Sequence, residues 1–149
     1  MKISFKGDYA LKIILDLALH FDRGTIPIKE ISKRQDIPER FLEQIVTMLK
    51  GAGYVKTVRG PRGGIGLIKK PADITLGAVI RHMEGPTSPI ACVSKTGHSP
   101  CGFESRCALR CVFEEVRIKT NDIVDHTTFQ DLVDKTHHLD ATRTMDYFI

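Results

Sequence analysis

The sequence predicts a mainly α-helical fold with a small β-wing, arranged as a winged helix-turn-helix. Three observations predict this fold. Apolar residues repeat at helical spacing through most of the first 49 positions, two short alternating segments follow, and a turn rich in Gly and Arg separates those two segments. Three helices followed by a two-stranded ribbon is the element order of a winged helix.

The N-terminal helices are defined by their apolar periodicity and by the residues that interrupt it. We predict a first helix over 8–21 that ends near Gly24, a second over 28–35, and a third over 39–49 that starts after Pro38. The third helix is expected to direct five apolar residues toward the core: Phe41, Leu42, Ile45, Val46 and Leu49.

The ribbon comes next in the chain. Segments 54–58 and 65–68 alternate as strands do, and the Gly- and Arg-rich turn 59–64 joins them. Beyond the ribbon, Thr75 can cap a fourth helix that extends through Met83. These elements complete a predicted winged-helix domain.

The C-terminal part is predicted from weaker patterns. A helix is expected over 112–124, where apolar residues lie among charges, and Thr127 or Thr128 could cap a short helix through Val133. The last stretch, 137–149, lacks clear periodicity and is expected to be loosely ordered.

Composition and charge limit the function. The 149 residues are 42% hydrophobic and 27% charged, as in an ordinary globular domain. Residues 1–84 carry 15 Lys and Arg against 9 Asp and Glu, whereas residues 85–149 carry 7 against 9. A basic first half favours a nucleic-acid partner.

No apolar run is long enough for a membrane span and no signal-peptide pattern occurs, so we expect a cytoplasmic protein without a membrane partner.

No pattern in the chain indicates an enzyme. Phosphate-binding loops, nucleophile elbows and metalloprotease motifs are absent from the sequence. We therefore expect a binding protein.

The third predicted helix carries a candidate surface for reading DNA. Arg40, Glu43, Gln44 and Thr47 fall on one polar face at helical spacing. In the B-DNA major groove, Arg can pair with guanine, Gln with adenine, and Glu can accept from cytosine. A solvated face would show the same pattern, so the helix by itself does not decide.

The turn of the ribbon strengthens the interpretation. Arg59 and Arg62 flank a Gly/Pro tip that includes Gly60, Gly63 and Gly64. Glycines allow a close backbone approach, and guanidinium groups on a narrow tip suit the minor groove. Together, helix and turn predict binding of double-stranded DNA.

All four cysteines, Cys92, Cys101, Cys107 and Cys111, lie in one stretch, 85–111, which we call the cysteine loop. Thiolates gathered in a polar loop of a cytoplasmic protein can hold a soft metal ion or an iron–sulfur cluster. A disulfide pair, or cysteines without a role, are the alternatives. The spacing matches neither a zinc ribbon nor a ferredoxin.

Several segments together resemble the Rrf2 family of bacterial winged-helix transcription regulators, which includes IscR, NsrR, RirA and CymR. The segments are KGDYAL at 6–11, IKEI at 28–31, FLEQ at 41–44, VRGPRGG at 58–64, DITLG at 73–77 and EGP at 84–86. The resemblance covers about residues 1–134 in order.

The resemblance implies a homodimer with a long C-terminal dimerisation helix and a pseudo-palindromic operator. It also implies that Arg40, Glu43 and Gln44 contact the major groove, and that Arg59 with the turn enters the minor groove. Many members hold an iron–sulfur cluster on three cysteines before the dimerisation helix. Those three match Cys92, Cys101 and Cys107, and a 2Fe–2S cluster is favoured over a 4Fe–4S cluster.

The fourth cluster ligand is left open by the resemblance. IscR-like members use a histidine three residues after the last cysteine, where this chain has Arg110, which cannot ligate. Asp8 resembles the aspartate that reaches in from the partner subunit in NsrR-like members. Cys111 and His98 are the other two candidates, and a cluster without a fourth protein ligand is the remaining alternative. The eight residues between the first two cysteines also exceed the usual five or so.

The predicted organisation is a winged-helix domain over 1–84, the cysteine loop over 85–111, a dimerisation helix region over 112–136 and a tail over 137–149. The function predicted is a DNA-binding regulator controlled by a cluster. The alternative is a metal-free thiol switch, in which Cys107 and Cys111 form a disulfide after local unwinding.

Overall fold

A computed structural model describes residues 2–61 and 63–146 of the chain. Over that part it contains six α-helices and one two-stranded antiparallel sheet. The helices are α1 Phe5–Leu19, α2 Ile28–Gln35, α3 Glu39–Gly51, α4 Leu76–Glu84, α5 Ala108–His126 and α6 Phe129–Asp146, and the strands are β1 Val55–Val58 and β2 Gly64–Leu67. The mainly α fold with a β-wing is confirmed. The first helix starts and ends earlier than predicted, and Phe21–Arg23 form a separate 3-10 turn.

The core of the winged helix lies between α1, α2, α3 and the sheet. Buried apolar side chains at helical spacing on α1 and α3 fill it, among them Ile13, Ile14, Leu17, Leu42, Ile45 and Leu49. Phe41 was predicted to join them, and that prediction is wrong because 52% of its surface is exposed. It lies about 100° from Leu42 around the helix axis, outside the buried arc.

An ion-pair network joins α1 to α2. Asp16 is only 1% exposed, and its carboxylate accepts two hydrogen bonds from Arg34, at 2.9 and 2.7 Å, and one from Gln35 at 3.0 Å. The hydrogen bond to Asp16 raises the pKa of Arg34 further above its ordinary value. Glu30, on the exposed side of α2, also accepts from Arg34 at 3.0 Å.

We expect Asp16→Ala to lower the free energy of unfolding by about 2–3 kcal/mol, because it leaves the Arg34 and Gln35 donors without their buried acceptor. Glu30→Ala removes a partner of the same arginine on the exposed side and is expected to change stability much less. Urea denaturation of both variants measures the difference. Equal losses would mean that the buried acceptor has no special role.

Close packing fixes the C-terminal helices on this domain. Thr75 caps α4 as predicted, since its hydroxyl accepts from the Ala78 amide at 3.3 Å. A Cβ on Gly77 would collide with the Asp125 carboxylate and the Val124 side chain, so α4 and α5 approach at a glycine. The α5 helix begins four residues before its predicted start.

The last helix departs most from the prediction. Instead of ending at Val133, α6 continues to Asp146, so the expectation of loose order from 137 onward is wrong over 137–146. Residues 147–149 lie outside the described part. Thr128 caps α6: its amide and hydroxyl donate to Asp131 at 2.8 and 2.7 Å, which lowers the pKa of that carboxyl.

The start of α6 completes the core of the winged helix. Phe129 is fully buried, and its amide donates to the Ile74 carbonyl at 2.9 Å. Val133, one turn later, is buried in the same cluster. The chain therefore leaves the domain along α5 and returns to it with α6. Among the described residues, no helix is both long and apolar enough to cross a membrane.

Candidate functional site

The polar face of α3 is free to contact a partner. Arg40, Glu43, Gln44 and Thr47 are all exposed, while Leu42, Ile45, Val46 and Leu49 anchor the opposite side. The Thr47 hydroxyl donates to the Glu43 carbonyl at 2.9 Å, within the helix. The α3 helix thus presents the four predicted residues together on one exposed face, as insertion of a helix into a major groove requires.

The wing, defined as β1, β2 and the turn 59–63 between them, projects beside this helix. Its strands pair from Val55 with Leu67 to Val58 with Gly64. At the turn, Arg59 is exposed, and the Gly63 amide donates to the Gly60 carbonyl at 2.9 Å. Arg62, the second predicted guanidinium, lies outside the described residues.

The glycines of the wing are required by the chain's own backbone. Gly60 has φ 116°, a conformation that other residues rarely adopt. A Cβ on Gly63 would meet the Val58 carbonyl at 2.3 Å, and one on Gly64 would meet the Ile26 carbonyl at 2.3 Å. The close backbone approach at these glycines and the Gly63–Gly60 hydrogen bond define a tight turn, so Arg59 leaves the strand at a defined place.

A groove of about 430 Å³ separates the wing from α3. Glu43 of α3 and Gly60 of the tip line it, and so does Lys29, an exposed residue at the start of α2. Sequence reasoning missed Lys29, because its position beside the wing arises only when Ile26 pairs with Ile65. It adds a positive charge at the point where a DNA backbone would pass between helix and wing.

The cysteine loop connects the end of α4 to the first turn of α5. Val93 and Ser94 are buried and anchor its middle. All four cysteines are free thiols: Cys92 and Cys107 are partly buried, while Cys101 and Cys111 are exposed. Cys107 is the residue immediately before α5, and the Cys111 thiol contacts its carbonyl at 3.7 Å.

Glu104 organises the loop around Cys101. Its Oε1 atom accepts from the Cys101 amide at 3.1 Å and also lies 3.1 Å from Nε2 of His98. Sequence reasoning did not select Glu104, although its spacing of three residues after Cys101 is that of a local turn contact. It places His98 and Cys101 on the same side of the loop.

Asp8 lies on the first turn of α1, and its carboxylate contacts Lys12 at 2.7 Å. That hydrogen bond raises the pKa of Lys12. About half of the Asp8 side chain is exposed, so the carboxylate remains open to a further partner. Among residues 2–61 and 63–146, Asp8 belongs to no group of three or more His, Cys, Asp or Glu side chains that could hold a metal ion.

The four cysteines form a donor set whose fit to an iron–sulfur cluster depends on its chemistry and on its geometry. Its chemistry fits, because thiols free of disulfides on a partly exposed loop are the ligands such clusters take. In the described conformation, however, no three His, Cys, Asp or Glu side chains of residues 2–61 and 63–146 converge on one point. The loop would therefore have to close around a cluster.

The outer face of α5 carries an apolar stripe, which we define as Leu109, Val112, Val116 and Ile123. All four side chains are exposed, from 45% to 67%. They recur near helical spacing on one side of the helix, while Arg117 and Val124 face inward and are buried. An exposed stripe of this kind is typical of a helix that packs against a second helix.

The chain is similar to known transcription regulators over most of its length. A family model described as "Rrf2: Iron-dependent Transcriptional regulator" matches residues 3–135. The transcriptional regulator CymR of Bacillus subtilis is 36% identical over 136 residues, covering 91% of this chain and 92% of that protein. The regulator IscR of Pectobacterium carotovorum is 32% identical over 146 residues, covering 98% of this chain and 87% of that protein.

Solved structures agree with these relatives. The structure of CymR, described as the global cysteine regulator of B. subtilis, superposes with a TM-score of 0.79 at 36% identity and covers 91% of this chain and 98% of that one. IscR of T. potens gives a TM-score of 0.73 at 33% identity, covering 91% and 88%. The relatives are transcription regulators, not enzymes.

Proposed function

The chain belongs to the Rrf2 family of DNA-binding transcription regulators, and we propose that it is a cytoplasmic homodimer whose operator affinity is controlled by an iron–sulfur cluster. The observation that carries the proposal is the cysteine loop. Every thiol of the chain lies in it, free of disulfides, between the winged helix and the stripe-bearing α5.

Operator reading would use α3 and the wing. Arg40 and Gln44 can make paired hydrogen bonds to guanine and adenine in the major groove, and Glu43 can accept from cytosine. Thr47 lies one turn further along the same face and suits a base or phosphate contact. Arg59, with Arg62 on the same turn, would enter the flanking minor groove. Lys29 would contact a phosphate.

We expect Arg59→Ala to weaken binding to a selected operator duplex by about tenfold or more, since a groove-inserted guanidinium contributes about 1–3 kcal/mol. Gln44→Ala should cost a similar amount and relax the sequence preference. Lys69→Ala, an exposed change at the opposite end of the ribbon, is the control. Fluorescence anisotropy on operators chosen from random duplexes measures all three. An Arg59→Ala affinity equal to that of Lys69→Ala would exclude the wing contact.

The homodimer would form through α5. Its apolar stripe is too regular and too exposed to suit a lone helix in water, and a second copy of the same stripe would cover it. A two-fold axis through paired α5 helices implies two related half-sites in the operator. This is why we propose a pseudo-palindromic operator.

The cluster ligands proposed are Cys92, Cys101 and Cys107. A bound cluster would make the protein sensitive to redox state and to iron, and the chain's own residues would hold the loop that carries the ligands. Val93 and Ser94 fix the loop beside Cys92, Glu104 orients the backbone at Cys101, and Cys107 is attached to the start of α5. A 2Fe–2S cluster is favoured over a 4Fe–4S cluster.

The fourth ligand is proposed to be Asp8 of the second subunit, ahead of Cys111 and His98. Asp8 is partly exposed and its companion Lys12 can move aside, since both lie at the surface. His98 is already occupied by Glu104 at 3.1 Å. Cys111 lies one helical turn beyond Cys107, with its thiol directed back to the Cys107 carbonyl.

A change in the conformation of the cysteine loop would alter the angle between α4 and α5. The loop leaves α4 at Gly85 and is tied to α5, because the Thr87 hydroxyl donates to the Asn121 side chain at 2.6 Å. Arg81 of α4 pairs with Asp125 of α5. Closing or freeing the loop would therefore bias how the two winged helices are spaced along DNA.

A second candidate function is a metal-free thiol switch, favoured by the position of Cys107 and Cys111 one helical turn apart. Residues at this spacing are close enough for a disulfide after local unwinding. The two thiols would lose two electrons and two protons to an oxidant such as hydrogen peroxide, which leaves as two water molecules. A solved structure of Staphylococcus aureus CymR is described as an oxidized form, and this alternative is consistent with that description.

The deciding experiment is anaerobic purification with visible absorption and with iron and sulfide counts per chain. A brown protein whose iron is lost in Cys107→Ser, and whose operator affinity changes with it, supports the cluster. Asp8→Ala and Cys111→Ser then identify the fourth ligand by their effect on iron retention. A colourless protein that takes up no iron on reconstitution, and loses its peroxide response in Cys111→Ser, supports the thiol switch instead.

A further inference from the structure

A polar cleft of about 250 Å³ lies where α4, α5 and the cysteine loop meet. Three cations line it: Arg81 from α4, Lys95 from the loop and Arg117 from α5. Asp125 is the single carboxylate among its lining residues. The cleft is separate from α3 and the wing, and its lining contains no cysteine.

Arg117 is the unusual member of this lining. Its side chain is only 7% exposed, and its Nε atom is buried without a hydrogen-bond partner. One of its terminal nitrogens donates to Glu114 at 3.0 Å, but Glu114 also pairs with Arg110 at 3.5 Å. One carboxylate thus serves two guanidinium groups. Burying a cation with an unpaired donor costs free energy unless another group compensates its charge.

Hydroxyl groups complete the cleft. Thr87 and Ser88 line it on one side and Thr96 on another, and Asn121 contributes an amide. Thr87 is buried and its hydroxyl donates to the Asn121 side-chain oxygen, so this wall is preorganised, and Ser88 and Thr96 supply the hydroxyl donors. Excess positive charge together with hydroxyl donors is the chemistry that binds a phosphate, sulfate or carboxylate group.

We propose that this cleft is a binding site for a small oxyanion: a phosphate, a sulfate or a dicarboxylate, free or as the charged end of a metabolite. The anion would pair with the Arg117 guanidinium, which shares its one carboxylate with Arg110, and with the charge of Lys95. Arg81 keeps its ion pair with Asp125 and forms the far wall. The volume suits a ligand of small-metabolite size and excludes a macromolecule.

The location gives such a ligand a regulatory consequence. Lys95 is three residues after Cys92 and is exposed on the cysteine loop, whereas Arg117 is fixed in α5. An anion bound by both would tie the loop to α5 without using any thiol. The chain would then integrate a metabolite with the signal sensed by the cysteines. The site itself does not depend on a cluster.

The test is calorimetric titration of the full-length protein with inorganic phosphate, sulfate and malonate, against sodium chloride at equal ionic strength. We expect saturable binding of at least one of the three at one site per chain, in both iron-loaded and iron-free protein. Lys95→Met should weaken it about tenfold, as loss of a charge-assisted contact does, and Arg117→Met more. Lys69→Met, an exposed lysine away from the cleft, is the matched control and should bind as the parent does.

Three results would overturn the site. One is no saturable heat with any of the three anions beyond that of chloride. Another is binding that Lys95→Met and Lys69→Met weaken equally, which would indicate general charge screening. The last is binding left intact by Lys95→Met and by Arg117→Met. If Arg117→Met does not fold, Lys95→Met decides alone, because Lys95 is exposed and its replacement spares the buried contacts. Cluster content is measured on the same samples, so a failure of the cluster proposal is seen separately.

Discussion

Replacing Val112 and Val116 together by Glu is expected to convert the proposed homodimer into monomers and to weaken binding to a two-half-site operator by at least about a hundredfold. Both side chains are exposed on the stripe of α5, at 59% and 45%. In a pair of facing helices, four carboxylates would be brought together and desolvated, which opposes association. A monomer also loses the effective concentration that linking two half-site contacts provides.

The control for this prediction is Ile118→Glu. Ile118 is 50% exposed on the same helix. It follows Val116 by two residues, so its side chain leaves the helix on roughly the opposite side from the stripe. Sedimentation velocity reports the mass, and anisotropy on whole and half operators reports the affinity. A Val112→Glu, Val116→Glu protein that remains dimeric, or an Ile118→Glu protein that dissociates instead, would place the interface elsewhere.

Phe129→Ala is expected to lower the free energy of unfolding by about 3–5 kcal/mol, the usual cost of removing a fully buried aromatic ring. The ring is 0% exposed and lies in the main apolar cluster. Its loss would leave a cavity where α6 returns to the winged helix. Much of a domain's typical stability of about 5–15 kcal/mol would disappear.

Phe41→Ala is the matched control, because it removes the same ring from a site that is 52% exposed. We expect a change within about 0.5 kcal/mol, as for most surface substitutions. Urea denaturation monitored by circular dichroism compares the two variants. Similar losses would show that α6 contributes little to the stability of the winged helix.

These two phenylalanines show where sequence patterns stop being informative. Phe41 sits beside true core residues in a strongly periodic helix, but it lies outside the arc of α3 that the neighbouring elements bury. Phe129 follows a weak capping signal with no periodicity to mark it. Its burial depends on contact with α1 and on the hydrogen bond to Ile74, a residue 55 positions earlier. Local spacing cannot reveal such a contact.

The candidate site divides in the same way. The face of α3 and the wing tip could be read from the sequence because each is contiguous or repeats at a fixed helical period. The cysteine loop was evident because all its thiols are neighbours in the chain. Lys29 beside the wing, Glu104 across the loop and the cleft around Arg117 could not be predicted, since each needs segments brought together by folding.

The sequence by itself determined the family and the winged helix, and it indicated the residues proposed to contact DNA and to hold a cluster, because these depend on local periodicity and on short contiguous motifs. Only the tertiary structure decided that α6 continues to Asp146, that Phe129 closes the core, and that a buried arginine lines a cleft between α4, α5 and the cysteine loop. Burial and charge compensation are properties of packed neighbours. Neighbours distant in the chain become known only when the chain is folded.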